Sequence, residues 1–270
     1  RLGIGTSTPS AAIQTATDVI VNTINIGLGG GSVATNTRVG FESGLNNTTG
    51  TSNTFFGYIS GKANTIGVNN SFFGRGSGTS NVSGTNNSFF GLDAGGLNNG
   101  GVQNVCIGSN SGKSNINGNQ NVAIGTNTLL SSIASSNTFV GTSAGQDITS
   151  GNNNTGLGFR AGQYAGSGTT ANQTSNNSLY LGYQTRASAS GNTNEVVIGY
   201  NVVGLGSNTT IIGNSSTVTT GIYGNLLLGT TTDAGYKLDV NGTTRMQEHC
   251  FMSSQKALIN LGNTTNLRSY

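Results

Sequence analysis

The chain has 270 residues, of which 45 are glycine, one is proline, none is tryptophan and only 7% are charged. This composition excludes collagen, which needs glycine at every third position with abundant proline, and it is not that of an ordinary globular domain. The net charge of +3 is spread thinly and no apolar run is long enough for a transmembrane helix, so we expect neither nucleic-acid binding nor membrane insertion.

Residues 1–35 precede the first repeat, and we interpret them as an N-terminal spacer with the strands that lead into the repeats. The chain starts at Arg1, without an initiator methionine or a visible signal peptide, so we expect it to be part of something longer.

A glycine-anchored repeat of 17 residues fills residues 36–222, with an insertion of about seven residues around 166–177. Its anchors are Gly40, Gly57, Gly74, Gly91, Gly108, Gly125, Gly141, Gly158, Gly182 and Gly199, followed by a shortened unit at Gly213. Each unit reads as a short strand, a turn, a second short strand and an Asn/Gly return turn. A unit this small must stack on its neighbours. The sequence therefore predicts an all-β, parallel β-roll or β-solenoid with coils of about 17 residues, a rod on the order of 50 Å long.

Two apolar columns precede the anchors and must face opposite ways, because side chains alternate across a strand. One predicted column contains Phe56, Phe73, Phe90, Ile107, Ile124 and Val140, and the other contains Phe55, Phe72, Phe89, Cys106, Ala123 and Phe139. One column can fill the coil interior, and the other would then expose a hydrophobic ladder to water. We therefore expect a closed oligomer in which identical ladders meet on an axis. The repeat alone leaves open which column is internal and whether two or three chains associate.

No catalytic, cofactor or metal site is predicted. The segment from Gly108 to Ser114, GSNSGKS, has one residue too few between its glycines for a phosphate-binding loop, and the repeat explains the match. Cys106 and Cys250 are too far apart in sequence to define a disulfide framework or a metal site, and His249 has no acid or nucleophile at a recognisable spacing. The acids Glu42 and Asp93 share a column but lie three coils apart, too far for paired carboxylate catalysis within one chain.

Aromatic residues directly after the anchors are candidate glycan contacts, since exposed rings can stack on sugars. They are Phe41, Tyr58, Phe159, Tyr183 and Tyr200. Packing between subunits is the alternative interpretation, because the same column also holds Arg75 and Leu92. A second column, seven residues after the anchor, is predicted to form an amide ladder between coils. Its members are Asn47, Asn64, Asn81, Asn98 and Asn115.

The last part of the chain changes character. Residues 223–243 form a predicted spacer, and the charged and apolar residues of 244–270 indicate a C-terminal tip or the start of another domain.

The segments NVCIGSNS (104–111), NVAIGTNT (121–128) and EVVIGYN (195–201) resemble the head repeats of trimeric autotransporter adhesins. That resemblance implies a β-roll wound three to an axis, and the number three comes from it alone. LGIGTSTPSAAIQ (2–14) and LLLGTTTDAGYKLDVNGTTR (226–245) look like spacers of tail fibres from phages that infect Bacteroidota.

These observations favour a non-enzymatic segment of a phage tail fibre or similar virion appendage, which acts as a rigid spacer and in host attachment. The expected partners are two further copies of the chain, other fibre or virion proteins, and a host cell-surface glycan or protein. A bacterial trimeric adhesin head is the first alternative, and either assignment places the chain outside the cell. A polysaccharide-degrading tailspike is the alternative from another class.

Overall fold

A computed structural model describes residues 2–4, 13–15, 18–21, 24–217, 220, 226–228 and 238–240. Short strands make up nearly all of its regular structure, together with one 3-10 turn at Gly30–Ser32. The strands are β1 (Leu2–Ile4), β2 (Ile13–Thr15), β3 (Val19–Val21), β4 (Ile24–Gly27), β5 (Thr37–Val39), β6 (Thr54–Phe56), β7 (Ser71–Phe73), β8 (Ser88–Phe90), β9 (Val105–Ile107), β10 (Val122–Ile124), β11 (Thr138–Val140), β12 (Thr155–Leu157), β13 (Tyr164–Ala165), β14 (Thr170–Ala171), β15 (Leu179–Leu181), β16 (Val196–Ile198), β17 (Thr210–Ile212), β18 (Leu226–Leu228) and β19 (Leu238–Val240).

The chain divides into two units, Arg1–Val218 and Thr219–Tyr270. The second unit contains the parallel pair β18 and β19, and the predicted tip at 244–270 lies outside the described residues. In the first unit β1 pairs with β2, also in parallel.

The first unit is a parallel β-solenoid, as the repeat predicts. A sheet of 13 strands runs in the order β17-β16-β15-β12-β11-β10-β9-β8-β7-β6-β5-β4-β3. Pairing from β5 to β17 is parallel and in register with the repeat, so that Phe55 pairs with Phe72 and Phe72 with Phe89. Strands β3 and β4 extend the sheet in antiparallel fashion. The fold class and the coil length are therefore confirmed.

The anchor is glycine because adjacent coils approach each other most closely there. Gly91 has φ of +137°, and a β-carbon on it would lie 2.6 Å from the carbonyl oxygen of Gly108 in the next coil. The same contact recurs at the anchors from Gly40 to Gly182, for example at 2.4 Å from Gly74 to the carbonyl oxygen of Gly91. A side chain at this position would force the coils apart and break the hydrogen bonds between them.

The coil interior is filled by the column two residues before the anchor. Phe55, Phe72, Phe89 and Phe139 are buried, and their column continues through Tyr180 and Val197. The rings of Phe72 and Phe89 stack with centroids 4.8 Å apart and planes 5° apart. Because consecutive strands are separated by roughly the same distance, each ring packs on the next along the rod.

Each interior ring has room because the position four residues after an anchor is usually glycine. The glycine that faces a ring belongs either to the ring's own coil or to the preceding coil. A β-carbon on Gly95, where φ is +56°, would lie 2.4 Å from the ring of Phe89. The coil anchored at Gly125 reverses this arrangement: its interior strand residue is Ala123, and Leu129 occupies the glycine position with φ of 47°. A large residue can thus enter the interior from either side of the coil, but not from both.

The predicted amide ladder is present from Asn47 to Asn98, whereas Asn115 bonds to Gly118 within its own turn. The side-chain amide of Asn64 donates to the side-chain oxygen of Asn47 at 2.9 Å, and the step is repeated from Asn81 to Asn64 and from Asn98 to Asn81 at 2.7 Å. Each of these residues is buried. The ladder therefore links consecutive coils through side chains as well as through backbone.

A second ladder of buried asparagines, four residues before the anchor, was not predicted. Its members are Asn36, Asn53, Asn70, Asn87, Asn104, Asn121, Asn137 and Asn154. The side-chain oxygen of Asn87 accepts from the backbone N–H of Asn104 at 2.9 Å, and its amide donates to the carbonyl of Gly101 at 2.8 Å. This single side chain therefore fixes both the strand of the next coil and the return turn of its own.

The regular coil is modified at two places. At the N-terminal end, Arg38 takes the interior position, and its guanidinium forms an ion pair with Asp18 and donates to the carbonyl of Ser43. Between Gly158 and Gly182 the coil is longer, and its extra residues form the antiparallel hairpin of β13 and β14.

A core exchange tests the complementarity between the strand and turn positions. Phe89→Ala should cost about 3–5 kcal/mol of unfolding free energy by leaving a cavity, and Gly95→Leu about 1–3 kcal/mol by overpacking. The double variant recreates the Ala123 and Leu129 arrangement, so we expect it to be more stable than the sum of the single changes by about 2 kcal/mol. Urea unfolding of the four proteins measures this coupling, and strict additivity would contradict it.

The second asparagine ladder is tested by Asn87→Asp. The carboxylate keeps the acceptor for Asn104 but cannot donate to Gly101, so the unfolding free energy should fall by about 1–3 kcal/mol. Asn86→Asp is the matched control, because Asn86 is exposed and its side-chain oxygen only accepts from Asn69. Urea unfolding at pH 7 should leave the control within about 0.5 kcal/mol of the parent. Equal losses in both variants would indicate a general charge effect instead.

Candidate functional site

The outer face of the long sheet carries the second predicted apolar column. Phe56, Phe73, Phe90, Ile107, Ile124 and Val140 lie there, one residue before each anchor, and Leu157, Leu181, Ile198 and Ile212 continue the column. Phe56 is 52% exposed and Leu157 is 49% exposed. We call this column the outer ladder.

The outer ladder is itself stacked. The rings of Phe56 and Phe73 lie 6.0 Å apart, and those of Phe73 and Phe90 lie 4.9 Å apart with planes 4° apart. Small or β-branched residues such as Ser71, Ser88 and Val105 lie beside the ladder at the start of each strand, on the same face. The outer face thus carries one regular apolar column beside a column of mostly small or β-branched residues.

Strand β4 extends the outer ladder at its N-terminal end. Ile26 pairs with Val39 and is exposed, and Ile24, two residues earlier, lies on the same face and is also exposed. Patches of more than a few hundred Å² of apolar surface are uncommon on soluble monomers. The outer ladder is therefore the main candidate for contact with another molecule.

The five candidate glycan contacts fall into two separate groups. Phe41 stacks on Tyr58, with centroids 5.7 Å apart, and Tyr183 lies between Phe159 and Tyr200 at 5.3 and 5.1 Å. All except Phe159 are exposed, Tyr200 most of all at 67%. In the second group the rings cover one another, so Tyr183 offers its edge rather than a face.

Two acidic side chains of the repeat, Glu42 and Asp93, form ion pairs with lysines of the next coil. Lys62 forms an ion pair with Glu42 at 2.6 Å, and Lys113 forms one with Asp93 at 3.0 Å. Lys113 belongs to the segment that resembles a phosphate-binding loop, where Gly112 has φ of +56° and serves the repeat turn. Neither the lysine nor the glycine is arranged there as a nucleotide site.

The sequence analysis did not single out Glu195, which is a buried carboxylate. It occupies the place of the second asparagine ladder in the coil anchored at Gly199 and is fully buried. Its oxygens accept from the backbone N–H groups of Gly206 at 2.8 Å and Ser188 at 3.3 Å, and from the amide of Asn192 at 3.2 Å. These three donors give it a structural role in closing the last coils. Its column position was the signal that could have identified it.

An open cavity of about 350 Å³ lies between the N-terminal strands and the first turn of the solenoid. It is lined by Ile20, Asn25, Arg38, Phe41, Glu42 and Leu45. Ile20 pairs with Asn25 and Gly27 with Arg38, which places Ile20, Asn25 and Arg38 on the inner face of the sheet. Of the candidate glycan contacts, Phe41 alone lines this cavity.

The described ranges also bear on metal binding and on membrane insertion. Among those residues no three histidine, cysteine or acidic side chains come together as a metal site. Within the same ranges, no helix has the length and the hydrophobicity needed to cross a bilayer. His249 and Cys250 lie outside the described residues.

Comparison of the chain with protein-family profiles, with curated proteins and with solved structures found no match. Its function therefore has to be argued from the outer ladder, the aromatic groups and the cavity.

The pKa of the Cys106 thiol tests whether water is excluded from the coil interior. Burial raises the pKa of its thiol from 9.0 to about 12. In the unfolded chain the thiol ionises above about pH 9, so the folded state should lose stability as the pH rises from 9 towards 12, by at most about 1.4 kcal/mol per pH unit. Unfolding of Cys250→Ser should show this slope relative to Cys250→Ser/Cys106→Ala, in which the same column position holds alanine as at Ala123. Identical pH profiles would contradict a buried, protonated thiol.

Proposed function

We propose that this chain is a structural, non-enzymatic segment of an extracellular trimeric fibre, a phage tail fibre or similar virion appendage, which serves as a rigid spacer and in host attachment. The observation that carries the proposal is the outer ladder, an exposed apolar column that follows the sheet along the whole solenoid. Such a column is buried most simply when identical ladders from several copies meet on a symmetry axis.

The number of chains and the setting come from the sequence. The repeat segments resemble heads that are wound three to an axis, and the flanking segments look like tail-fibre spacers. A solenoid also suits a mechanical role, because each coil is tied to the next by backbone bonds, to which buried amides add side-chain bonds from Asn47 to Asn98 and along the second asparagine ladder. A bacterial adhesin head would use the same fold. The full-length gene product separates the two, since an adhesin has a membrane-anchor barrel and a fibre has a virion-attachment or chaperone domain.

The polysaccharide-degrading tailspike receives less support. Glycoside hydrolysis needs two carboxyl groups about 5–10 Å apart. In the described coils, Glu42 and Asp93 each pair with a lysine, and Asp147 accepts from the amide of Gln163. Glu195 is buried beneath three hydrogen-bond donors. These acids serve the coil rather than a substrate.

Light scattering of the purified chain should give three times the chain mass of 27.2 kDa. Phe90→Lys places three like charges near the proposed axis, so we expect it to dissociate the assembly to monomers at micromolar concentration. Ile66→Lys is the matched control, because Ile66 is similarly exposed but lies in a return turn away from the sheet face. A monomeric parent protein, or an assembly unaffected by Phe90→Lys, would overturn the trimer.

A further inference from the structure

We propose that the cavity lined by Phe41 binds one or two rings of a neutral saccharide. This inference rests on the proposed attachment role and assigns that role to one end of the solenoid. The cavity volume of about 350 Å³ lies near the lower end of the range for small-ligand sites, about 300–1,000 Å³. It fits a short glycan terminus better than an extended chain.

The shape of the site comes from the way the solenoid begins. Arg38 fills the interior of the first coil, and β3 and β4 continue the sheet beyond it. Ile20 therefore lies on the inner face of the sheet but is 66% exposed. The cavity is the space between this inner face and the first turn, which carries Phe41 and Leu45.

The walls combine one aromatic face with aliphatic side chains. Tyr58, from the next coil, covers one face of Phe41, with ring planes 10° apart. Tyr58 belongs to the next coil, whereas the lining residues Ile20 and Asn25 belong to the N-terminal strands. The face of Phe41 that Tyr58 leaves uncovered is therefore the one available to a ligand there. Ile20 and Leu45 complete the apolar lining. A pyranose has a C–H face that suits such a surface.

The charges at the cavity favour an uncharged ligand. The guanidinium of Arg38 is already paired with Asp18, and the carboxylate of Glu42 is paired with Lys62. An anionic or cationic ligand would have to displace one of these partners. A neutral sugar needs only hydrogen bonds from its hydroxyl groups, and Asn25, Arg38 and Glu42 are the polar residues in the lining.

The second aromatic group is a poorer platform for a sugar. Phe159 and Tyr200 cover the two faces of Tyr183, and the Arg160 guanidinium lies 5.0 Å from the ring of Phe159. A sugar would meet a ring edge at Tyr183, and of the five aromatic residues Phe41 alone lines the cavity. This contrast places the saccharide at Phe41 rather than at the far end of the column.

The test uses saturation-transfer NMR on the whole chain with methyl glycosides of glucose, galactose and N-acetylglucosamine, and with glucuronic acid as the charged comparison. We expect at least one neutral glycoside to bind with a dissociation constant on the order of 1 mM. Phe41→Ala should weaken it by about tenfold, and Phe41→Tyr should retain it, since Tyr58 holds the same column position. Tyr200→Ala, in the same column of the last coils, should have no effect.

The inference is overturned if none of the neutral glycosides binds, if glucuronic acid binds more tightly, or if Phe41→Ala binds as well as the parent. It is also overturned if Phe41→Ala changes the mass by light scattering, because the cavity would then be an interface between copies. Thermal unfolding of Phe41→Ala, with a melting temperature close to that of the parent, excludes loss of binding through misfolding. A trimer that binds no sugar would refute only this inference, and a monomer that binds sugar would refute only the assembly.

Discussion

The hydrogen bond that each buried asparagine accepts from the backbone of the next coil is the interaction on which the rest of the structure depends. Asn87 accepts from the backbone of Asn104 and donates to the turn at Gly101, and its column repeats this arrangement along the rod. A buried amide is costly unless its hydrogen bonds are made. The backbone N–H and carbonyl groups of every coil must therefore lie in the same register with the next coil. The anchor glycines permit the close approach between coils that this requires.

Once the coils are locked in register, the alternation of a strand decides which residues remain outside. A coil of this size has room for one large side chain per layer, and Phe72 and Phe89 take that room. Phe73 and Phe90, one residue later, must then face outward. The same rule that builds the interior thus creates the outer ladder. Assembly of several chains would bury that ladder without any change in the coil.

A binding site that occurs only once in the chain can form where the repeat is interrupted. A regular coil repeats every side chain, so it offers stripes rather than cavities. At the N-terminal end the sheet continues past the first coil, and the ion pair of Arg38 and Asp18 closes the interior. The exposed inner face of β3 and the free face of Phe41 meet only there. The hairpin of β13 and β14 and the buried Glu195 mark the other irregular coils, where the repeat is lengthened or ends.

The 17-residue spacing of the glycines determined the solenoid, its coil length and the first amide ladder, because a fixed period allows only neighbouring units to stack. The sequence also determined that two apolar columns face opposite ways. It did not determine which column is internal, since both contain phenylalanine at the same steps. That choice depends on the turn: Gly78 and Gly95 leave space inside the coil for Phe72 and Phe89, a contact across residues that the strand pattern does not contain. The cavity at Phe41 likewise required the tertiary structure, because its walls come from β3, β4 and the first turn, which are brought together only by the antiparallel pairing.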